Sequence, residues 1–415
     1  MLLGAALTAC SPTPSVPCLA DDNCPTGFVC VSVGKSCGCE AVGSNRLACG
    51  SAGGAAGAGG GAGGGVPGGG GSSGGVTGGG SAVAGGSGGG GTGGGPGGGS
   101  AGASARWEQQ VLTVNDTSQA DIVAISGSAT ALYAITNARR LLFSTDGVTF
   151  TTAIASLRTN PSALLVTADG VVFALSNGSL ERCVPPCDSL ANFTPFPIPA
   201  TSGERFLGLC GTSSTDLLLV GNGPPPSSPA LWTRFTGTAL PAPQSIGLEL
   251  ANGCSAESSQ RLWVTGTGGV AAATVSPGIS FTAQGFMLSS AGIDPATQRW
   301  FGSTTIAGTT FVVGSGERIM QRTGTTWTLP VNVGSAHWLR GVAGTSATRV
   351  VAAGDRACVG CVSLLWDFDG TTWRSLPEGV VGLEAVRTVV AVGEFIYVGG
   401  RQSGSRPGIV RLAPQ

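Results

Sequence analysis

Short apolar runs of four to seven residues fill the chain from residue 106 to the C-terminus, separated by Gly, Ser, Thr and Pro. This alternation predicts an all-β domain over 106–415, with few segments at helical spacing. Two patterns recur inside it. One is a Gly turn followed by small polar residues and an aromatic, as in Asp146-Gly147-Val148-Thr149-Phe150, Gly278-Ile279-Ser280-Phe281, Gly324-Thr325-Thr326-Trp327 and Asp369-Gly370-Thr371-Thr372-Trp373. The turn calls for Gly at positive φ, and the aromatic supplies core area to the strand it opens. The other is an apolar strand that ends in Gly, at Leu217–Gly221, Leu262–Gly266, Val350–Gly354 and Ile396–Gly400.

Taken in order, the anchors Trp107, Phe150, Phe193, Leu240, Phe281, Trp327 and Trp373, with the terminal Gln415, are spaced 41 to 47 residues apart. Units of that length match four-stranded propeller blades and predict a seven-bladed β-propeller. Phe193 and Leu240 fit the pattern less well, so six or eight blades stay open, as does an array of β-sandwiches. The last unit is one strand short, while Trp107 precedes the first complete unit. The residues from Arg106 to Val111 are therefore expected to return to the final blade as its outer strand, leaving no long sheet edge unpaired.

The chain before residue 106 reads differently. Residues 50–105 carry no charge and consist mainly of Gly, Ala and Ser, the composition of a flexible linker. Gly does not recur at every third position, so collagen is excluded. A coil of this length has an r.m.s. span of roughly 40 Å. Residues 11–49 hold Cys18, Cys24, Cys30, Cys37, Cys39 and Cys49. So short a segment cannot bury a core and would need disulfides, in one of about 15 connectivities. A zinc site is the rival reading, but no His is near and paired CxxC units are lacking.

The chain contains 13 Cys. Cys10 accounts for the odd one, and the rest can pair, which suits an oxidising compartment. In the later domain Cys210 and Cys254 occupy similar places in adjacent units and are expected to bridge blades. Cys183 with Cys187, and Cys358 with Cys361, would staple loops. A redox role for Cys358-Val359-Gly360-Cys361 would need a βαβ setting that the pattern does not supply.

Residues 1–10 form an apolar stretch ending in Leu7-Thr8-Ala9-Cys10, which resembles the lipobox of bacterial lipoproteins. The resemblance implies a signal peptide, lipidation of Cys10 and, from Ser11, sorting to the outer membrane. Nine residues without Lys or Arg are short for such a signal, so a start site placed too late is expected. The Cys24 and Cys37–Cys39 region loosely resembles small EGF-like or related cysteine-rich modules. In the later domain, Ser144–Phe150 is similar to an Asp-box one residue short, and Tyr397-Val398-Gly399-Gly400 resembles the kelch double glycine. The units of 339–375 and 206–240 resemble the degenerate propeller repeats of bacterial exported proteins, which are loosely related to BNR and kelch repeats. Asp-boxes are structural turns, so the resemblance implies a scaffold and no catalytic group.

Charge and chemistry narrow the function. Net charge is −1 and only 10% of residues are charged, which offers no basic field for nucleic acid. No apolar run reaches the ~18 residues of a spanning helix, so membrane association is expected through the lipid alone. His337 is the single imidazole, set in a turn before a strand, and its being alone is read as excluding both a His-based triad and a multi-His metal site. The sialidases share the propeller and use a Tyr nucleophile, but Tyr133 and Tyr397 both lie in apolar strand patterns and read as core. Asp367 and Asp369 flank Phe368 beside the Gly370 turn and read as turn formers. No catalytic site, metal or cofactor is expected. The reading that follows is a membrane-tethered binding or scaffold lipoprotein of the cell envelope, whose partner is an envelope or extracellular protein or glycan. The alternative is a carbohydrate-active hydrolase using scattered carboxylates. The Pro224-Pro225-Pro226 loop and the Cys358–Cys361 loop are the candidate ligand loops. Metabolic labelling with a clickable fatty acid, on protein expressed behind a complete signal region, should mark the wild type and leave Cys10→Ala unmarked.

Overall fold

The computed structural model describes residues 28–33, 36–41 and 107–415, apart from 129, 200–202, 226, 276–277, 285–292, 295–296 and 357–362. The chain divides into two units, residues 1–104 and 105–415. In the first, Phe28–Val33 and Ser36–Ala41 form an antiparallel hairpin in which Cys30 lies opposite Cys39 and Ser32 opposite Cys37. Cys10, Cys18, Cys24 and Cys49, like the segment 42–106, lie outside the described residues, as do Cys358 and Cys361.

The second unit is a seven-bladed propeller. Five of its seven sheets are four-stranded antiparallel meanders in chain order, the other two being completed by the residues before blade 1, and the innermost strands of successive blades touch all round the ring. These innermost strands are Ile122–Ser128, Pro161–Val166, Arg205–Ser213, Leu250–Ser258, Trp300–Ile306, Trp338–Ser346 and Ala385–Val392, for blades 1 to 7. The count of seven settles the alternatives of six or eight and displaces the sandwich array. Of the repeat anchors, Phe150, Phe193, Phe281, Trp327 and Trp373 lie in the outer strands of their blades. Leu240, the weakest, is buried in the loop before the two-residue outer strand Gln244–Ser245 of blade 3.

Closure follows the expected route. Trp107–Val111 pairs antiparallel with Arg406–Pro414 as the outer strand of blade 7. The chain then continues into Thr113–Asn115, which pairs in parallel with Thr149–Thr151 and gives blade 1 a fifth strand. This addition carries no sequence signal. One segment of nine residues thus ties the two ends of the ring together twice. Trp107 is buried in the core between blades 6 and 7, and its Nε1 donates to Asp367 Oδ1 at 2.7 Å. That corrects the turn-forming role expected of Asp367, which instead anchors the closing strand from 260 residues away. Asp369 does form a turn, accepting the backbone N–H groups of Thr371 and Thr372 at 2.9 Å each. Asp146 accepts from Val148 and Thr149 in the same way at 2.8 Å each.

Among the described residues there is no single core. The buried apolar side chains among the described residues fall into seven clusters, one at each junction between neighbouring blades. Tyr133 and Tyr397 belong to two of them, as their strand patterns predict. Cys210 and Cys254 form a disulfide between the innermost strands of blades 3 and 4. Closing a loop of 44 residues contributes about 4 kcal/mol in the chain-entropy view. Cys183 and Cys187 staple the loop after the third strand of blade 2.

The strands that end in Gly have a specific cause. A Cβ on Gly354 would stand 1.9 Å from the carbonyl oxygen of Trp338, and one on Gly266 the same distance from that of Leu250. Gly400 faces the carbonyl oxygen of Ala385, and Gly221 that of Arg205, at comparably short range. In each case the obstacle is the backbone of the innermost strand, which cannot turn aside. Gly354→Ala should therefore destabilise the domain by about 2 kcal/mol or more, whereas Gly278→Ala, with nothing within 4 Å, should be nearly neutral; urea unfolding of both variants checks this.

Candidate functional site

Every innermost strand is irregular at the same point. The register shifts once near the start of each, and the residue left over is Val123, Ser162, Leu207, Asn252, Phe301, Arg340 or Arg387 in blades 1 to 7. These seven bulges lie at the end of the ring where inner strands begin and second strands finish. A bulge turns one side chain out of the pleat, and all seven residues are partly or fully exposed. They form a rim around the axis. The glycine that follows four of them lets neighbouring inner strands approach closely: a Cβ on Gly208 would meet Gly253 Cα at 2.9 Å, and one on Gly341 would meet Val389 at 2.9 Å.

Polar rim residues are spent mostly on holding blades together. Ser162 Oγ donates to Phe206 O at 2.6 Å, and Asn252 Nδ2 donates to Trp300 O at 3.0 Å. Asn222 Oδ1 accepts Ala251 N at 2.7 Å, and Asp355 Oδ1 accepts Val386 N in the same way between blades 6 and 7. Blades 6, 7 and 1 add an ionic chain. Arg340 Nε donates to Asp355 Oδ2 at 2.9 Å, Arg387 Nη1 reaches the same oxygen at 3.3 Å, and Arg387 Nε donates to Asp121 Oδ2 at 2.9 Å. Arg401 lies 3.8 Å from the other oxygen of Asp121. The Arg340 guanidinium also stacks over Trp338 at 4.5 Å and Phe301 at 5.0 Å. Burial pulls its pKa below the ordinary arginine value, against the opposing pull of Asp355. The rim therefore has a charged arc on blades 6, 7 and 1 and a mainly apolar arc on blades 3 to 5.

His337 is more than a turn histidine. Its Nδ1 lies 2.7 Å from Glu317 Oε1, which also accepts Ser335 Oγ at 2.9 Å, while Trp366 Nε1 donates to Glu317 Oε2 at 3.3 Å. A carboxylate orienting an imidazole is the outer half of a triad, and one imidazole suffices for that, so the count of histidines was no argument against it. The hydroxyl of Ser335 shares the carboxylate with the ring instead of lying beyond the ring as a nucleophile would. Gly316 N and Glu317 N both donate to His337 O, at 2.8 and 3.2 Å, and Glu317 has φ of 50°. The group thus clasps a left-handed turn of blade 5 to the entrance of blade 6.

Of the two ligand loops expected from sequence, Pro224 and Pro225 lie between the second and third strands of blade 3, at the rim end, while Pro226 and the Cys358–Cys361 loop lie outside the described residues. The Asp146 and Asp369 turns connect third to outer strands, at the opposite end. Sequence reasoning missed the rim arginines because their signal, one Arg two residues after a strand begins, is indistinguishable from a solvated surface residue. Among the described residues, no group of three or more metal-ligating side chains gathers at one point.

Glu181, on the third strand of blade 2, is buried with neither carboxylate oxygen hydrogen-bonded. Desolvation raises its pKa above the ordinary 4.5, with Arg158 opposing. A raised carboxyl pKa suits a general acid, but this group is packed between strands and away from solvent. Its ionisation costs the folded state, so the cost is absent well below pH 4.5 and grows as pH rises through the raised value. Glu181→Gln should stabilise the domain at neutral pH by on the order of 1 kcal/mol, with the gain fading in acid; urea midpoints across pH check it.

A scan against protein-family models finds no match, and neither does a search of curated proteins. Solved structures do resemble the propeller. The extracellular domain of a putative one-component system from B. thetaiotaomicron superposes with a TM-score of 0.54 at 9% identity over 74% of this chain and 40% of that one. YCF48 bound to a D1 peptide gives 0.56 at 12% identity, over 75% of this chain and 97% of that one. The WD40 repeats of RRP9 give 0.55 at 10%, covering 74% and 97%. The chain spans about two fifths of the length of the B. thetaiotaomicron domain it resembles. At such identities the likeness establishes the propeller fold alone.

Proposed function

We propose that the protein is an exported binding or scaffold protein, held at the cell envelope by lipid on Cys10, with its propeller carried on the Gly-rich segment 50–105. One observation carries the binding reading: at a position that is geometrically equivalent in all seven blades, the backbone repeats and the side chain does not. Val123, Ser162, Leu207, Asn252, Phe301, Arg340 and Arg387 differ in size, polarity and charge. Folding asks for the bulge and for small residues behind it. It does not ask for six different residue types over seven positions, and a rigid scaffold presenting a varied surface suits recognition.

Further support comes from what the rim's acids are doing. Asp121 and Asp355 are engaged by arginines, and Glu317 by His337, Ser335 and Trp366. That favours a role in shaping the surface over one in hydrolysis. Two of the structural neighbours fit the same picture: one is an extracellular domain, and another is recorded with a bound peptide. The paired cysteines Cys183–Cys187 and Cys210–Cys254 suit an oxidising compartment. Affinity capture from envelope extract should recover a partner with the wild-type chain and lose it with Leu207→Glu and Phe301→Glu combined. Equal recovery by both would remove the rim from the account, and turnover of aryl-glycosides by the pure protein would replace it with the hydrolase reading.

A further inference from the structure

We propose that the rim of blades 5, 6 and 7 is a carboxylate-binding site whose occupant is an extended peptide, with Arg299, Arg340 and Arg387 as its ligands. The proposal rests on the reading of the rim as a binding surface and names what that surface takes.

The arginines are held but not exhausted. Asp355 grips Arg340 through Nε, and Asp121 grips Arg387 through Nε, with a second contact from Arg387 Nη1 to Asp355. Carboxylates on that side of a guanidinium leave its terminal amino groups facing elsewhere. Neither terminal nitrogen of Arg340, nor Nη2 of Arg387, has a hydrogen-bond partner among the described residues. Trp338 and Phe301, stacked against Arg340, fix the plane of the fork. A guanidinium so positioned loses little side-chain freedom when it takes a bidentate acid. Arg299 completes the group. It is exposed, it immediately precedes the innermost strand of blade 5, and its side chain has no partner among the described residues. Its charge and that of Arg387 both bear on Arg340, where burial already makes an isolated cation costly. An incoming anion relieves both effects.

The rest of the rim argues for a peptide. A saccharide needs many unspent donors and acceptors beside an aromatic face. Here the amide of Asn252 and the hydroxyl of Ser162 are committed to backbone carbonyls. What remains beside the arginines is apolar: Phe301, then Leu207 across blade 4, 37% exposed. A carboxylate with a neighbouring apolar side chain matches that pair of arcs.

Fluorescence anisotropy on the full chain tests this with arrayed fluorescein-labelled octapeptides that lack Asp and Glu, each made with a free C-terminal carboxylate and as the carboxamide. Oligogalacturonate serves as the saccharide probe. The expected result is binding of a subset of free acids at least tenfold tighter than their amides. Arg299→Glu, a surface change that should leave the unfolding midpoint untouched, and Arg340→Lys, which keeps charge but loses the fork, should each weaken those acids roughly ten- to hundredfold. Equal binding of acids and amides, no peptide binding at all, or indifference to Arg299→Glu overturns the proposal. Binding of oligogalacturonate without peptide overturns the peptide as occupant. In each of these cases a partner captured through Leu207 and Phe301 would still leave the broader binding reading in place.

Discussion

The pairing of Trp107–Val111 with Arg406–Pro414 is the constraint on which the propeller depends. A ring of blades has no shared interior. Each junction buries its own cluster, and each cluster is too small to fold a domain of this size by itself. An open row of blades would leave two terminal sheets with one face bare and would let the junctions fail one by one. The closing segment converts a row into a ring, and it does so with backbone ladders on two blades and the buried indole of Trp107. Asp367, in the third strand of blade 6, receives that indole, so three consecutive blades are joined at one place.

The same geometry makes the rim. Packing seven blades round one axis brings inner strands close together, and residues behind the bulges must be small where they cross. Gly208 against Gly253, and Gly253 against the carbonyl of Phe301, show the approach. The carbonyl of the residue that opens the inner strand comes close to the second strand at Gly221, Gly266, Gly354 and Gly400, while Thr136 and Ser176 stand at the same place in blades 1 and 2. The recurring glycines and the exposed rim side chains therefore lie at the same end of the ring, as neighbours in the ladder. Fold and candidate site meet there: where the second strand carries Gly, the backbone opposite leaves no room for a Cβ, and the bulged residue is left free to vary.

This explains what could be read from sequence. The strand-ending glycines and the Gly-turn-aromatic units are imposed by packing, so they repeat, and the repeat length revealed the blades and the missing strand. The bulged residues are not imposed, so they do not repeat, and nothing in Arg340 or Phe301 as letters announces a rim. Asp367 was misplaced because its nearest signal, the Gly370 turn, is local while its partner Trp107 is at the other end of the domain. Glu317 and His337 sit 20 residues apart on different blades, and only the closure of one blade onto the next brings them together. The parallel strand Thr113–Asn115 is too short to carry a pattern.

On the reading proposed above, lipid on Cys10 and the charge-free segment 50–105 would give the ring its setting at the cell envelope. The most direct measurement of the central claim, that the bulged rim is where this protein recognises its partner, is site-specific photocross-linking in intact cells. A benzophenone side chain placed at Leu207 or Val123 should yield a discrete cross-linked species, while one at Thr282 in the outer strand of blade 4 should not. Cross-links confined to the outer strand, with none from the rim, would contradict the account.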